Sequence, residues 1–275
     1  MTDFKNDKVW LLQGDCLERM KEIPDGSVDL ILTDPPYNTL KDVHWDKIID
    51  LDLMWEQLLR ILKPNGVAVF TSEQPFTSTL TLSNLDMFRY SMIWDKVNKT
   101  GFLNSSYRPL KQTEDVLVFS RGKIGSKAVT PMPYNPQGVV EVNKKKINNP
   151  NETWREGKGN KTLNNQLNNG KEYVQKFTNH PTNIISIPSN SSGNIHNTQK
   201  PVALMEYLIN TYTNEGETVL DFTFGSGSTI KAALNTNRKS IGIELGQCEK
   251  KNHKYFGMDW TDVLINQLGL EGKHI

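Results

Sequence analysis

The sequence predicts an α/β fold, a doubly wound and mostly parallel sheet with helices on both faces. Three observations predict it. Apolar runs of four or five residues recur along the chain, helical patterns lie between several of them, and four acidic residues stand at the ends of such runs. Continuous apolar runs are typical of strands buried on both faces, and their alternation with helices favours parallel pairing.

The predicted strands are short runs dominated by Val, Ile, Leu and Phe. They occupy residues 9–13, 28–32, 67–71, 116–119, 219–222 and 240–244. In parallel sheets of this kind, ligands bind at the carboxyl ends of the strands. Four acids fall at such ends and are expected to converge on one crevice, namely Asp15, Asp34, Asp221 and Glu244.

Helical patterns fill several of the intervals. Residues 51–62 are amphipathic and are followed by Lys63-Pro64-Asn65-Gly66, which predicts the end of a helix and a return to a strand. Residues 201–212 predict a second helix with Pro201 in its first turn, where the missing N–H is no loss. A third helix is expected over residues 230–235, after a glycine-rich turn.

The run at residues 28–32 leads into Thr33-Asp34-Pro35-Pro36-Tyr37. The two prolines have a fixed φ and no N–H, so they stiffen the turn and leave its carbonyl groups as acceptors. A carboxylate and a carbonyl can accept the two hydrogens of an exocyclic amine on a flat heterocycle, and the Tyr37 ring offers a face for stacking. The motif therefore suits alkylation of a weakly nucleophilic amine, although by itself it also fits an ordinary capped loop after a strand.

A second motif, at residues 218–229, favours the chemical interpretation. It consists of a strand with Asp221, a turn with Gly225 and Gly227, and the start of a helix. The glycines let the backbone approach a ligand, and the helix start offers free amide donors. Glu244 ends the next strand about 20 residues beyond the turn, where nucleotide-binding folds place an acid on ribose hydroxyls. The turn lacks the Gly-x-Gly-x-x-Gly spacing of dinucleotide sites, so an adenosine ligand without phosphates fits better.

In this order, Asp34-Pro35-Pro36-Tyr37 and residues 221–229 resemble the permuted (beta-class) S-adenosylmethionine-dependent DNA amino-methyltransferases. The resemblance covers nearly the whole chain. It implies a Rossmann-like methyltransferase fold whose catalytic half is residues 1–120 and whose cofactor-binding half is residues 186–275. An inserted DNA target-recognition region lies between them at residues 121–185. The family also implies homodimers.

The resemblance implies roles for single residues. Those implied to be catalytic are Asp34, Pro35, Pro36 and Tyr37. Those implied to bind S-adenosylmethionine are Asp15, Cys16, Asp34, Thr198, Lys200, Asp221, Phe222, Thr223, Phe224, Gly225, Ser226, Gly227, Ser228, Thr229 and Glu244. Asp15 would hold the adenine amino group of the cofactor, and Thr198 and Lys200 would approach its methionine carboxylate.

Two further stretches bear on this resemblance. Residues 94–119 resemble the strand-loop-strand beside the target base and are expected to support rather than catalyse. Many relatives have Asp-Pro-Phe before the glycines, where this chain has Asp221-Phe222-Thr223-Phe224. The aromatic ring near the cofactor is therefore expected one position earlier or later than in those relatives.

Composition narrows the class of protein. The two cysteines, Cys16 and Cys248, stand far apart without metal-ligand spacing, so no metal site is expected and a reducing, cytoplasmic location is favoured. No stretch reaches the roughly 18–20 apolar residues of a membrane span, which predicts a soluble protein without membrane partners.

Charge is unevenly distributed. The net charge is only +1, yet residues 121–185 hold 11 Lys or Arg and 4 Asp or Glu, leaving about −6 on the remainder. This basic segment is rich in Asn, Lys and Gly and has four aromatic residues that could stack on or wedge between bases, Tyr134, Trp154, Tyr173 and Phe177. Local phosphate contact requires such a segment, although a solvated surface insertion has the same composition.

We therefore expect a site-specific methyltransferase that uses S-adenosylmethionine to methylate adenine N6 in double-stranded DNA. Cytosine N4 presents the same chemical problem and is the nearest alternative; Asp rather than Ser at position 34 favours adenine within the resemblance. A transferase acting on RNA or on a protein amide, and a DNA-binding protein that has lost catalysis, are further alternatives.

Overall fold

A computed structural model describes residues 3–37, 48–125, 127–147, 172–189, 195, 199–251 and 253–274. The chain divides into two compact units, one formed by Met1–Asn135 with Asn183–Ile275 and the other by Pro136–Thr182. The second unit is therefore shorter than the insertion expected at residues 121–185. Its described part is a two-stranded antiparallel ribbon.

The strands of the first unit that the structure describes form one ten-stranded sheet. They are β1 (Phe4–Lys5), β2 (Val9–Gln13), β3 (Val28–Thr33), β4 (Leu62–Ser72), β5 (Phe88–Thr100), β6 (Lys111–Ser120), β9 (Ile184–Ser186), β10 (Thr218–Asp221), β11 (Lys239–Glu244) and β12 (Lys273–His274). The ribbon pairs β7 (Val140–Ile147) with β8 (Glu172–Thr178). The sheet order is β12-β1-β2-β11-β10-β3-β4-β6-β5-β9.

The centre of this sheet is parallel. Strands β2, β11, β10, β3 and β4 all run in one direction, while β1 and β6 are antiparallel to their neighbours on either side. The expected α/β fold with a mostly parallel sheet is confirmed. The carboxyl ends of the five central strands share one edge, which is named the carboxyl edge below.

Helices cover both faces of the sheet. The α-helices in the described residues are α1 (Cys16–Arg19), α2 (Leu51–Ile61), α3 (Phe76–Ser83), α4 (Val202–Tyr212), α5 (Ser228–Asn235) and α6 (Trp260–Leu268). The first three contribute to one apolar core, and the last three contribute to the cores on the opposite face. Within the part of the chain that the structure describes, no helix is long and apolar enough to cross a membrane.

Strand β3 is buried along its whole length. Its side chains alternate between the two faces, with Ile31 in the core beneath α1–α3 and Leu30 and Leu32 in the core beneath α4 and α5. Asp29 is the charged residue of this strand. Its carboxylate accepts hydrogen bonds from Lys63 Nζ at 2.6 Å and from Thr218 N at 2.9 Å, so it joins the starts of β4 and β10 to β3.

The first long helix ends close to its expected position, but the strand after it begins earlier. The carboxylate of Asp50 caps α2 by accepting from the N–H groups of Asp52 and Leu53, and Leu62 has already turned to extended geometry. Leu62 pairs with Val28, whereas the next pair, Val67 with Leu30, lies five residues further along β4 but only two along β3. The expected helix exit at residues 63–66 is thus a bulge inside β4, a place where a strand tolerates proline and glycine.

Candidate active site

The four acids of the sequence prediction stand at the carboxyl edge. Asp34 directly follows β3, Asp221 ends β10 and Glu244 ends β11. Glu244 is in register with Gln13, the last residue of β2, so Asp15 follows only two residues beyond that pair. Parallel neighbours with one common edge explain why residues far apart in sequence assemble here.

The carboxylate of Asp34 is held by three side chains. The hydroxyls of Tyr37 and Thr71 both donate to Oδ1, while Lys200 Nζ donates to Oδ2 at 2.6 Å. Thr71 lies near the end of β4, and Lys200 lies two residues before α4. Elements from both halves of the chain therefore fix this one carboxylate, which leaves it oriented before any substrate arrives.

Tyr37 lies inside this arrangement. Its ring stacks on Phe76 of α3, with the ring centroids 5.4 Å apart and the planes inclined by 24°. Lys200 Nζ is 5.9 Å from the centroid of the Tyr37 ring. Burial, followed by the negative charge of Asp34, raises the pKa of the Tyr37 hydroxyl well above its usual value. The hydroxyl thus stays protonated and acts as a donor to Asp34.

Lys200 continues into a line of buried opposite charges, Lys96–Glu114–Lys200–Asp34, called the buried charge row below. Lys96 Nζ donates to Glu114 Oε1 at 2.9 Å, and Lys200 Nζ lies 3.3 Å from Glu114 Oε2. Burial alone would lower the pKa of Lys200, but the charges of Asp34 and Glu114 outweigh it and the pKa is raised. Burial would likewise raise the pKa of Glu114, but Lys200 and Lys96 outweigh it and the pKa is lowered. Lys200 and Glu114 are therefore both charged near neutral pH.

Hydroxyl groups connect Asp221 to the backbone of Asp34. Thr33 Oγ1 donates to Asp221 Oδ1 at 2.8 Å and lies 2.7 Å from Thr223 Oγ1, which in turn donates to the Asp34 carbonyl at 3.3 Å. Burial raises the pKa of Asp221 to about 7, although hydrogen bonds from Thr229 and Thr33 act in the opposite direction. Strands β3 and β10 are thereby joined through side chains at the point where the two motifs meet.

The glycine-rich turn lies between β10 and α5. Gly225 and Gly227 both have left-handed φ angles, +50° and +80°, which glycine adopts readily. Ser228 Oγ donates to the Lys200 carbonyl at 2.8 Å, so the turn is connected to the segment before α4. Ser226 and Gly227 line a cavity of about 290 Å³ at the start of α5.

Glu244 closes the turn from the neighbouring strand. Its carboxylate accepts hydrogen bonds from the N–H groups of Gly225 at 2.7 Å, Gly246 at 2.9 Å and Leu245 at 3.0 Å. Burial raises its pKa, while the three N–H donors act in the opposite direction. Three donors on one carboxylate fix its position beside the turn.

Asp15 and Cys16 begin α1. Asp15 Oδ1 caps the helix, accepting from Leu17 N at 2.9 Å and Glu18 N at 3.3 Å. Cys16 is buried, and burial together with the charge of Asp15 raises the pKa of its thiol to about 12. The thiol is thus neutral and is not an activated nucleophile.

Phe222 and Phe224 follow Asp221 at the end of β10. Their rings are buried in two different cores on opposite faces of the sheet. Their expected contact with a cofactor stays a prediction. Thr198 lies outside the described residues.

The structure also adds residues that carried no assigned role. Thr71 and Thr33 end or nearly end strands beside the turn at Asp34, so the rule of ligands at strand ends could have identified them. Lys96 and Glu114 lie in the segment expected only to support the site. Nothing in the sequence signals Phe76 as the stacking partner of Tyr37.

Comparison with known proteins finds DNA methyltransferases of similar sequence or fold. The chain is 27% identical over 275 residues to the DNA adenine methyltransferase YhdJ of Escherichia coli K12, covering 89% of this chain and 81% of that protein. Two solved structures share the fold. The M1.HpyAVI–SAM complex has a TM-score of 0.56 at 23% identity, with 95% of this chain and 100% of that chain covered. The cytosine-N4-specific PvuII DNA methyltransferase has a TM-score of 0.61 at 17% identity, with 97% and 95% covered.

A family match covers both motifs. The model of the family N6_N4_Mtase, described as DNA methylase, matches residues 28–253, a range that runs from the start of β3 past the end of β11. It therefore includes the turn at Asp34 and the glycine-rich turn with Glu244. On that match the chain belongs to the DNA methylase family.

Proposed function

We propose that this chain is a site-specific methyltransferase that methylates the N6 amino group of adenine in duplex DNA, with S-adenosylmethionine as the methyl donor. The observation that carries the proposal is the position of Asp34. Its carboxylate is fixed by Tyr37, Thr71 and Lys200 at the carboxyl edge, and hydroxyl groups connect its backbone to Asp221 before the glycine-rich turn. An oriented acceptor for an amine thus lies next to a turn suited to an adenosine.

The proposed chemistry depends on two protein acceptors for the hydrogens of the target amine. A base inside a duplex cannot reach this edge, so it is rotated out of the stack at a cost of a few kcal/mol. The Asp34 carboxylate and the Pro35 carbonyl then accept the two hydrogens of the amino group, which localises its lone pair on nitrogen. Orientation and electrostatic placement supply the rate enhancement. The fixed position of the carboxylate avoids reorganisation when the base arrives.

The residues at the carboxyl edge fit S-adenosylmethionine by their chemistry. The cofactor supplies an electrophilic methyl group when bound. Glu244 is a half-buried acceptor beside the glycine-rich turn and suits ribose hydroxyls, and Asp15 suits an adenine amino group. Lys200 and Thr198 are proposed for the methionine carboxylate. Since Lys200 is bound to Asp34, its amine would serve the acceptor and the cofactor together.

Adenine is preferred over cytosine on two grounds. The turn begins with Asp34 rather than serine, and YhdJ, which is named an adenine methyltransferase, aligns over 89% of this chain. The neighbour PvuII methyltransferase is cytosine-N4-specific, so the alternative needs a direct test. DNA incubated with the protein and labelled S-adenosylmethionine should yield labelled N6-methyladenine on nucleoside digestion. Labelled N4-methylcytosine alone would contradict the assignment.

The order of the motifs supports the permuted (beta) class. Asp34 to Tyr37 precede the glycine-rich turn, and the basic segment at residues 121–185 lies between them. We propose this segment for DNA target recognition. Matched incubations with RNA and with protein test the other substrate classes, and labelled methyl groups should enter duplex DNA only.

The ribbon of the second unit supplies a surface for that recognition. Tyr173 lies opposite Lys146 and Gln175 opposite Lys144, so these side chains share one face with Phe177. The two aromatic side chains are exposed. Lysines can contact phosphates and Gln can read base edges. Trp154 lies outside the described residues.

We also propose a cytoplasmic location, which the two widely separated cysteines favour, and a homodimer, which the family resemblance implies. Light scattering after size exclusion measures the mass in solution, and a mass equal to the 31.3 kDa chain would contradict the dimer.

A further inference from the structure

The tip of the β5–β6 hairpin exposes large apolar side chains. The tip comprises residues 101–110. Leu103 is 98% exposed, Tyr107 88% and Phe102 65%. Single exposed apolar residues are ordinary, but three at one short tip form a protruding apolar point. The fold and the buried charge row do not use these three side chains.

The register places the tip beyond the carboxyl edge. Strand β6 runs antiparallel to β4, and Ser72, the last residue of β4, pairs with Asp115. The four residues of β6 before Asp115 therefore extend past the end of β4. Glu114 belongs to this extension and lies 3.3 Å from Lys200, which holds Asp34. The distance along β6 from Glu114 to Lys111, the residue that follows the tip, is about 10 Å at 3.3 Å per residue. This distance is of the same order as the width of the DNA major groove, roughly 12 Å.

The charge around the tip suits a polyanion. Residues 96–113 contain four Lys or Arg and no Asp or Glu. Two of the four, Lys96 and Lys111, form ion pairs with Glu114 and Glu73. Lys99 and Arg108 flank the apolar side chains along the chain. Cations that bracket apolar side chains are the combination by which proteins insert a wedge between base steps while contacting phosphates.

The tip is also held in shape. Asp95 fixes the base of the hairpin by accepting from Gln112 Nε2 and Val97 N, each at 2.9 Å. Within the tip, Asn104 N donates to Gly101 O and Tyr107 N donates to Asn104 O, each at 3.0 Å. An ordered hairpin tip loses less conformational entropy when it inserts into DNA than a flexible loop does.

We propose that Leu103, supported by Phe102 and Tyr107, is a wedge that enters the DNA base stack and fills the space left by the target base. The inference rests on the proposed function, because a wedge is needed only if the base leaves the duplex. Leu103 thereby acts as a positioning residue: it holds the base outside the stack, while Asp34 acts on the amine.

The test compares Leu103→Ala with Leu85→Ala. Leu85 is also exposed, but it lies three residues before the start of β5 at Phe88, which pairs with Phe119 near the opposite edge of the sheet. The methylated site is first read from DNA treated with the unaltered protein. Single-turnover methylation is then measured on two duplexes, one with the target base paired and one with an abasic site opposite it.

If Leu103 is a wedge, its replacement should slow methylation only when the target base is paired. Leu103→Ala should be roughly tenfold or more slower on the paired duplex and near the unaltered rate opposite the abasic site, because an unpaired base leaves the stack at less cost. Leu85→Ala should match the unaltered protein on both. Equal rates for Leu103→Ala and Leu85→Ala on the paired duplex, or an equal loss on both duplexes, would overturn the wedge. If the unaltered protein methylates neither duplex, the proposed function itself fails.

Discussion

Replacing Glu114 by glutamine tests whether the buried charge row supports the site. The substitution keeps the shape of the side chain but removes the negative charge between Lys96 and Lys200. In the structure, Lys96 Nζ lies 2.9 Å from Glu114 Oε1, and Lys200 Nζ lies 3.3 Å from Oε2. The side chains of Glu114, Lys96 and Lys200 are 14%, 11% and 8% exposed, so water screens the charges weakly.

The size of the expected loss of stability follows from the charges that the substitution leaves unpaired. Lys200 keeps Asp34 at 2.6 Å, but Lys96 loses the carboxylate to which it donates. Removing one partner of a buried ion pair typically costs about 3–5 kcal/mol, because the other charge stays buried without compensation. A domain of this size loses roughly 2–4 °C in Tm per kcal/mol. We therefore expect Glu114→Gln to lower Tm by on the order of 10 °C.

Thermal unfolding of three variants tests whether Glu114 compensates the buried charge of Lys96. Glu114→Gln and Lys96→Met are measured alone and together, and the double variant should recover part of the loss because no uncompensated ammonium remains. The coupling energy between the two sites should exceed about 1 kcal/mol. A Tm for Glu114→Gln within about 2 °C of the unaltered protein, or strictly additive losses, would refute the reasoning.

Three other predictions follow from the site. Asp34→Asn should slow methyl transfer by about 10²–10⁴-fold, measured with labelled cofactor, while calorimetry still detects cofactor binding; an undiminished rate would remove Asp34 from catalysis. The folded pKa of Asp221, about 7, lies above its ordinary 3.8, so the unaltered protein should lose about 2.5 kcal/mol of stability from pH 5 to pH 8 through this group. Urea unfolding of Asp221→Asn should lack that loss; an equal pH dependence would contradict it. Gly227→Ala should destabilise by more than about 2 kcal/mol, because φ is +80° and the new Cβ would lie 2.8 Å from Leu264 Cδ2. Gly257→Ala, with φ +78° and open space, is its control and should lose less; equal urea midpoints would exclude the clash.

The sheet was readable from the sequence because its central strands are buried on both faces. Strands β2 and β3 begin at the expected residues, since each is an apolar run bounded by polar turns. The start of β4 could not be predicted, because Pro64 and Gly66 are residues typical of a turn. A bulge absorbs them within the strand, and pairing with β3 outweighs local preference.

The site was readable in part for a similar reason. Acids at strand ends are visible in a sequence once the strands are known, so Asp34 and Glu244 could be placed. The partners of a carboxylate are set by packing between distant segments. Lys200 was expected at a cofactor carboxylate, yet its amine lies on Asp34 and next to Glu114, and only the tertiary structure brings them together.

The sheet order has a consequence for how the nascent chain matures. Strands β10 and β11 lie between β2 and β3, although they are synthesised long after both. A partial chain that ends before Thr218 therefore holds Asp15 and Asp34 on strands with no common neighbour, and two long apolar edges stay open. Such non-local pairing folds slowly and exposes strand edges to aggregation. Activity should thus appear only after the carboxyl-terminal strands have entered the middle of the sheet, which makes late truncations far more damaging than their length implies.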